Sequence, residues 1–471
     1  MPSRPNLIVV LCDQLRRSAL ACYGDPNART PNLDRLAEQG AFFRNACATY
    51  PICVPYRFSL MTGQYPHTRM IPGIAWRMSP AERTLADEFN EAGYETMYVG
   101  KWHLYGGQCH MPGYSAQREG CLPVPRRFQG RWQHWRGFEL RNSHFDTRYF
   151  VDDDPTPHKI EGYQTDGLFD LTMALIEEKR PPDRPFACVL SVEPPHPPHE
   201  APRELEAAWE QAQLEVPDNF MCEDDDPFRE RMVAKDVRDR EAVMSFMATY
   251  YAMIENLDNN MGCLLEFLDR EGLTDSTHVM FTSDHGELLG SHTLLTKQFP
   301  YEEACGVPLF MRGPGITKQT VDAPIATEDL FPTLLGLCDI KPRDDVPGTS
   351  FAPCLRSETA PPDRLGVLLE FVSETRPNQS LHKCCYRGIR SKRFKYTVAG
   401  DLTGFSPWQF FDLEQDPYEM HNLISEPQWQ ETIARHHAFL RQRLIDTDDD
   451  APLTPAFGCP GLGRIEDTEG A

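Results

Sequence analysis

The sequence predicts an α/β protein: a doubly wound, mostly parallel sheet, joined to a smaller C-terminal α+β domain with an antiparallel sheet. Three observations carry that expectation. Short unbroken apolar runs alternate with helix patterns along most of the chain, as parallel strands covered on both faces require. After Pro353 the runs become closely spaced and more alternating. The length, 471 residues, suffices for two or three structural units with a substantial core. The expected division is a large domain over 1–355 and a smaller one with a polar tail over 356–471.

Leu7–Cys12 (LIVVLC) reads as a buried strand. A helix follows in TPNLDRLAEQG, with Thr30 as N-cap, Pro31 at the first helical position and Gly40 as terminator. TLADEFNEAG is a second helix ending at Gly93, and YETMYVG is the strand after it. Phe186–Val192, Thr277–Ser283 and Val307–Met311 are further buried strands. A long helix from about Arg240 to Glu271, closed by Gly272, precedes the Thr277 run. SETAPPDR reads as a linker, and LGVLLEFV, CCYRGIR, FKYTV and WQFFDL as the C-terminal strands. Gly106–Lys159, rich in Arg, Trp, Gly and Pro without clear period, reads as a long inserted loop. Its Trp132, Trp135 and arginines are expected to line the leaving-group pocket, where an aromatic wall suits an aryl or quaternary-ammonium group, the alternative being that the tryptophans anchor the loop. The acidic runs EDDD (223–226) and DTDDD (446–450) read as solvated faces.

Composition excludes several classes. With 40% hydrophobic and 25% charged residues the chain is globular, and no apolar run approaches the ~20 residues needed to span a bilayer. A net charge of −23 argues against a nucleic-acid partner. The apolar stretch near the N-terminus is too short for a signal-peptide core, which predicts a cytoplasmic chain. Fifteen cysteines at irregular spacing fit free thiols in a reducing compartment.

Chemistry-bearing residues follow directly on strands. Asp13 ends the first, Lys101 and His103 end the strand after Gly93, His196 follows the Phe186 strand, and Asp284 and His285 end the Thr277 strand. Such residues gather at the carboxyl edge of a parallel sheet, where open α/β sheets bind ligands. Taken singly each has a plainer reading. An Asp after a strand is commonly a turn former, a lone Cys a small buried hydrophobe, and PPHPPH a stiff polyproline turn. HPPH as a zinc site lacks a thiolate pair at finger spacing. Their coincidence at strand ends favours a site.

TPNLDRLAEQGAFFRNACATYPICVPYRFSLMTGQYPHT resembles the signature region of the type I sulfatases, in the alkaline phosphatase superfamily. Cys53, Pro55 and Arg57 meet the pattern C-x-P-x-R. GKWHL, PHPP, SDHGELLGSH with Lys297 beyond it, and FFDLEQDPYEMHNL follow in the family's order, so the resemblance covers nearly the whole chain. It implies an alkaline-phosphatase-like fold, an oligomer, and conversion of Cys53 by a separate formylglycine-generating enzyme to 3-oxoalanine (formylglycine). In the family the hydrate of that aldehyde attacks sulfur through one hydroxyl, and the second expels sulfate and regenerates the aldehyde.

The resemblance also implies roles. Asp13, Asp284 and His285, with the modified Cys53 and the amide oxygen of Gln14, hold one divalent cation; hard oxygen ligands with one imidazole suit Ca²⁺, Mn²⁺ or Mg²⁺. Arg57 orients the nucleophile or holds its charge, and Lys101 and Lys297 face the sulfate oxygens. His103 takes the proton that drives collapse of the sulfated intermediate, and His196, with Lys297, protonates the leaving alkoxide. The pairs Asp13-Gln14 and Asp284-His285 depart from the Asp-Asp and Asp-Asn of many sulfatases and resemble choline sulfatases and phosphonate monoester hydrolases. Tyr56 fills a slot where the family has a small residue, and Gln64 one where it has arginine. The implied activity is hydrolysis of a small organic sulfate monoester. The rivals are a phosphonate monoester or phosphodiester hydrolase with the same nucleophile, and a non-catalytic anion-binding homologue.

Overall fold

A computed structural model describes residues 4–71, 73–74, 76–106, 122–222, 235–236, 239–372, 385–401, 404–449 and 451. In chain order the main sheet comprises β1 (Asn6–Asp13), β2 (Ala41–Phe43), β3 (Glu95–Lys101), β4 (His134–Phe138), β5 (Arg148–Val151), β6 (His158–Lys159), β7 (Phe186–Pro195), β8 (Thr277–Ser283), β9 (Leu309–Arg312) and β10 (Gln319–Val321). Their spatial order is β10-β2-β9-β8-β1-β7-β3-β4-β5-β6. The five central strands, β8-β1-β7-β3-β4, are mutually parallel.

β1 shows why the apolar runs were unbroken. Leu7, Val9 and Leu11 point to one face, against the helices Cys53–Thr62 (α2) and Thr327–Leu337. Ile8, Val10 and Cys12 point to the other, against Gln164–Lys179 and the long helix Arg240–Arg270. A strand buried on both faces has no polar side to alternate with. Among the described residues no helix is long and apolar enough to cross a membrane.

The C-terminal unit is a four-stranded antiparallel sheet of β11 (Gly366–Phe371), β12 (Cys385–Ser391), β13 (Phe394–Asp401) and β14 (Gly404–Asp412), with the helix Gln430–Asp446 on one face. Its other face, including Leu369, Phe371 and Trp408, packs on Tyr50, Ile52, Phe299 and Tyr301. Those four residues flank the segments that carry Cys53 and Lys297, so the smaller sheet braces both. The motif FFDLEQDPYEMHNL adds bonds beyond Lys297 from the chain's far end: Glu419 Oε2 accepts from Glu302 N at 2.7 Å, and the Tyr418 carbonyl accepts from Asn219.

Several expectations are corrected. Gly106–Lys159 is not one long loop: its described part forms β4, β5 and β6 at the sheet edge, while residues 107–121 lie outside the described residues. Trp132 and Trp135 do not line a pocket. They are 1% and 0% exposed, with Trp135 stacked on Tyr98 (4.9 Å) and edge-on to Trp102 (5.3 Å), because burying such rings in the sheet's flank outweighs exposing them. The Val307 run is the strand Leu309–Arg312, and it lies antiparallel beside β8 instead of joining the parallel set. Thr30 precedes its helix, but its hydroxyl accepts from Ala21 N instead of capping. In DTDDD, the Asp449 side chain is 2% exposed and paired with Arg387, not solvated. EDDD and the tail beyond 451 lie outside the described residues.

Candidate active site

The carboxyl ends of β1, β3, β7 and β8 meet the N-terminus of α2. A bulge between Leu11 and Asp13 breaks β1's register with β7, and such bulges re-aim the side chain that follows. Asp13 is thereby turned to the same point as Asp284, which follows β8. Cys53 is the first residue of α2 and is 1% exposed. Pro55 lies in the first turn, where its missing N–H costs no helical bond. Gly63, at φ 71°, closes the helix.

The cluster is dense. Cys53 Sγ, which marks where a modified side chain's oxygens would stand, lies 3.1 Å from His285 Nε2, 3.1 Å from Lys297 Nζ and 3.6 Å from Asp13 Oδ1. Arg57 bridges the two carboxylates, donating from Nε to Asp284 Oδ2 (3.0 Å) and from Nη2 to Asp13 Oδ2 (3.2 Å). Its Nη1 donates to Ser191 Oγ (2.7 Å), so the guanidinium is fixed on three sides. Lys101 Nζ sits 2.7 Å from Asp13 Oδ2 and 3.4 Å from Glu193 Oε1. Gln14 N donates to Asp284 Oδ1 at 3.1 Å, and Gln14 Oε1 accepts from Lys297 at 2.8 Å.

These atoms fit a cation. His285 Nδ1 contacts its neighbour's carbonyl, Gly286 O, at 2.9 Å and so carries the proton, which leaves a lone pair on Nε2. That nitrogen faces Asp284 Oδ1 at 3.4 Å and Asp13 Oδ1 at 3.6 Å. The three lone-pair atoms converge in a dry site beside the charges of Lys297, Lys101 and Arg57, and a cation at that point would be ligated by all three. The ligand atoms of Asp13, Cys53, Asp284 and His285 all lie within 4.8 Å of one another.

Burial shapes the protonation states. It would raise the Asp13 carboxyl, but Lys101, with Lys297 and Arg57, holds it well below the usual carboxylate range. Burial pushes the Cys53 thiol up to about 12, reinforced by Asp13, so an unmodified thiol here stays protonated and is a poor nucleophile. Burial lowers His285 and favours the neutral, ligating imidazole. His103, with φ 55°, is lowered by burial and by Lys101, and its buried Nδ1 has no partner. His196 is partly exposed; its Nδ1 donates to Pro197 O at 2.7 Å, and burial lowers it against the pull of Asp13.

A model of the family described as "Sulfatase" matches residues 5–340, and one described as "N-sulphoglucosamine sulphohydrolase, C-terminal" matches residues 290–446. The chain belongs to the sulfatase family. An ulvan-active sulfatase of Formosa agariphila is 32% identical over 455 residues, covering 95% of this chain and 83% of that protein. The choline-sulfatase of Rhizobium meliloti is 28% identical, with 95% and 88% covered. The crystal structure of a sulfatase from Bacteroides fragilis superposes with a TM-score of 0.81 at 26% identity, covering 95% of this chain and 97% of that one. Sulfatases use a metal and a formylglycine, and this sulfatase places a donor set for a metal beside Cys53.

Of the candidate catalytic and metal-binding residues, all but His103 and His196 hydrogen-bond or ion-pair within this cluster; those two feel the charges of Lys101, Lys297 and Asp13. Sequence reasoning missed three. Ser191 and Glu193 lie near the carboxyl end of β7, the signal that found Asp13, and Glu193 also accepts from Arg141 N (2.9 Å) and Gln164 Nε2 (2.8 Å). Glu287 accepts from Gln14 Nε2. Tyr56 is accommodated: it is buried, with Oη 3.4 Å from Thr282 Oγ1. Gln64 donates to Asp345 O, and Arg343 reaches the Thr62 carbonyl at the end of α2.

Proposed function

We propose that this sulfatase hydrolyses a small organic sulfate monoester, with a formylglycine at position 53 and one divalent cation. The observation that carries the reading is the convergence of Asp13 Oδ1, Asp284 Oδ1 and His285 Nε2 beside Cys53 Sγ at a helix N-terminus flanked by Lys101 and Lys297. Oxygen-rich donors with one imidazole suit Ca²⁺ or Mn²⁺, with Mg²⁺ next. The cation supplies charge stabilisation to the transferring group. The hydrated aldehyde supplies an oxygen nucleophile and the means to release sulfate without attack by water.

This chain's own residues do the rest. Lys101 and Lys297 hold the sulfuryl oxygens, and Arg57 keeps both carboxylates in register. His103 accepts a proton as the intermediate collapses. His196, which burial lowers against the pull of Asp13, gives the proton to the leaving alkoxide. Because Cys53 is 1% exposed, the formylglycine-generating partner acts on the segment before it is packed away. With Trp132 and Trp135 in the core, the basis for an aryl or quaternary-ammonium pocket built from them disappears.

The Gln14 and His285 pairing also favours phosphonate monoesters or phosphodiesters as a second reading. Parallel kinetics on an aryl sulfate, a sulfated monosaccharide, choline sulfate, a phosphodiester and a phosphonate monoester separate the two. The sulfate reading predicts the highest kcat/KM on a sulfate ester, and a higher value on the phosphonate or phosphodiester would overturn it.

A further inference from the structure

Lys297 is delivered by a strained loop. Leu289, His292, Thr293, Thr296 and Gln298 adopt φ of 45°, 53°, 56°, 72° and 90°. Two of the five are β-branched, for which this region is a steric outlier. Such conformations persist only where surrounding bonds over-determine them. Leu288 N donates to Thr296 O and Gly290 N to Leu294 O, each at 2.8 Å, which folds the loop on itself. Glu287 ties it down: its Oε1 accepts from Leu289 N (3.1 Å) and from Thr296 N, the residue before Lys297. Its Oε2 accepts from Gln14 Nε2.

Gln14 is therefore held at both ends by charge. Its NH₂ faces a carboxylate and its Oε1 faces the Lys297 ammonium at 2.8 Å. The reversed amide would set NH₂ against ammonium and carbonyl against carboxylate, so only one orientation is tolerable. That orientation turns an oxygen, not a nitrogen, toward the point where Lys297 Nζ meets Cys53 Sγ (3.1 Å) and His285 Nε2 (3.0 Å).

We propose that Glu287 is a positioning residue: through the Gln14 amide and the Thr296 N–H it presents an oxygen to the cation site and sets where Lys297 stands. The inference rests on the reading of Asp13, Asp284 and His285 as cation ligands.

Calcium affinity, measured by titration calorimetry on the full chain without substrate, tests it in three proteins: wild type, Glu287→Gln, and the swap Gln14→Glu with Glu287→Gln. Glu287→Gln keeps an oxygen for the loop N–H groups but turns an NH₂ onto Gln14, whose amide must flip. Affinity is expected to fall roughly 10–100-fold, as for the loss of partners that orient metal ligands. The swap restores a carboxylate-to-amide pair in the opposite sense and is expected to recover most of the loss. Bracing of the loop alone predicts wild-type affinity in Glu287→Gln. That result, or a swap that recovers nothing through misfolding or weak binding, overturns the proposal, as does a wild type that binds neither Ca²⁺ nor Mn²⁺. A wild type that binds calcium but hydrolyses no sulfate ester would refute the function and leave the role of Glu287 standing.

Discussion

Among the described residues, two places bring histidine and carboxylates within ligand distance of one another: Asp13, Cys53, Asp284 and His285 at the sheet edge, and His67, Glu370 and Asp449 at the C-terminal unit. The residue types are similar and the electrostatics opposite. At the sheet edge His285 gives its proton to a backbone carbonyl and turns a lone pair on two carboxylates. At the second place both ring nitrogens face acceptors, Nδ1 the Glu370 carboxylate at 2.5 Å and Nε2 the Thr447 carbonyl at 3.0 Å. Both must then carry protons, and His67 is itself the cation. Arg387 neutralises Asp449 with a two-point contact. In the second cluster the histidine itself carries the positive charge; in the first, Arg57, Lys101 and Lys297 flank the carboxylates while the histidine keeps a lone pair that can ligate a cation. Ligand-type residues close together do not by themselves make a cation site; the direction of their lone pairs does.

The largest effect that would break this comparison is at Cys53. Cys53→Ala is expected to lose at least ~10³-fold in kcat with the fold intact, because the covalent route disappears; near-wild-type turnover would end the assignment. His196→Ala comes next. It should slow alkyl sulfates by ~10²–10⁴-fold, whose alkoxides need a proton, and nitrophenyl sulfate far less. Equal losses across a leaving-group series would leave His196 a mere brace of its loop. Asp284→Asn should abolish cation binding and cost at least ~10²-fold in activity. Elemental analysis should find one divalent ion per wild-type chain and none in the variant; an ion retained and then lost with His67→Gln would erase the contrast between the clusters.

The smallest effect is on stability. Burial would lower His67, but Glu370 raises it to about 9. A histidine raised above its unfolded value of ~6.5 stabilises the fold fully below that pH and loses the contribution as pH climbs through about 9. The loss is on the order of 3 kcal/mol. Melting temperature should fall between pH ~6.5 and 9 in the wild type and lack that slope in His67→Gln.

The catalytic edge was legible in the sequence because its strands are buried on both faces and so read as unbroken apolar runs. Thr277–Ser283 was located to the residue, and Asp13, Lys101 and Asp284 follow from where the runs stop. His134–Phe138 was not legible: HWRGF carries no apolar alternation, and its place is set by pairing with β3. The His67 cluster was hidden for a different reason, since Glu370 and Thr447 lie hundreds of residues along the chain. Asp449 sits in an acidic run that looks solvated, and only the fold brings Arg387 to it. Glu287 lies inside the SDHGELLGSH run, but the run does not show what it bonds, and Glu193 is a lone acid whose partners only the fold brings to it.

The central claim is that Cys53 is the precursor of the nucleophile in a cation-bearing sulfatase site. The most direct test is the mass of the peptide spanning Cys53, taken from protein purified in its active form. The account predicts that this peptide carries the aldehyde in place of the thiol, in a fraction that tracks specific activity between preparations. A fully active preparation whose Cys53 remains an unmodified thiol would contradict it.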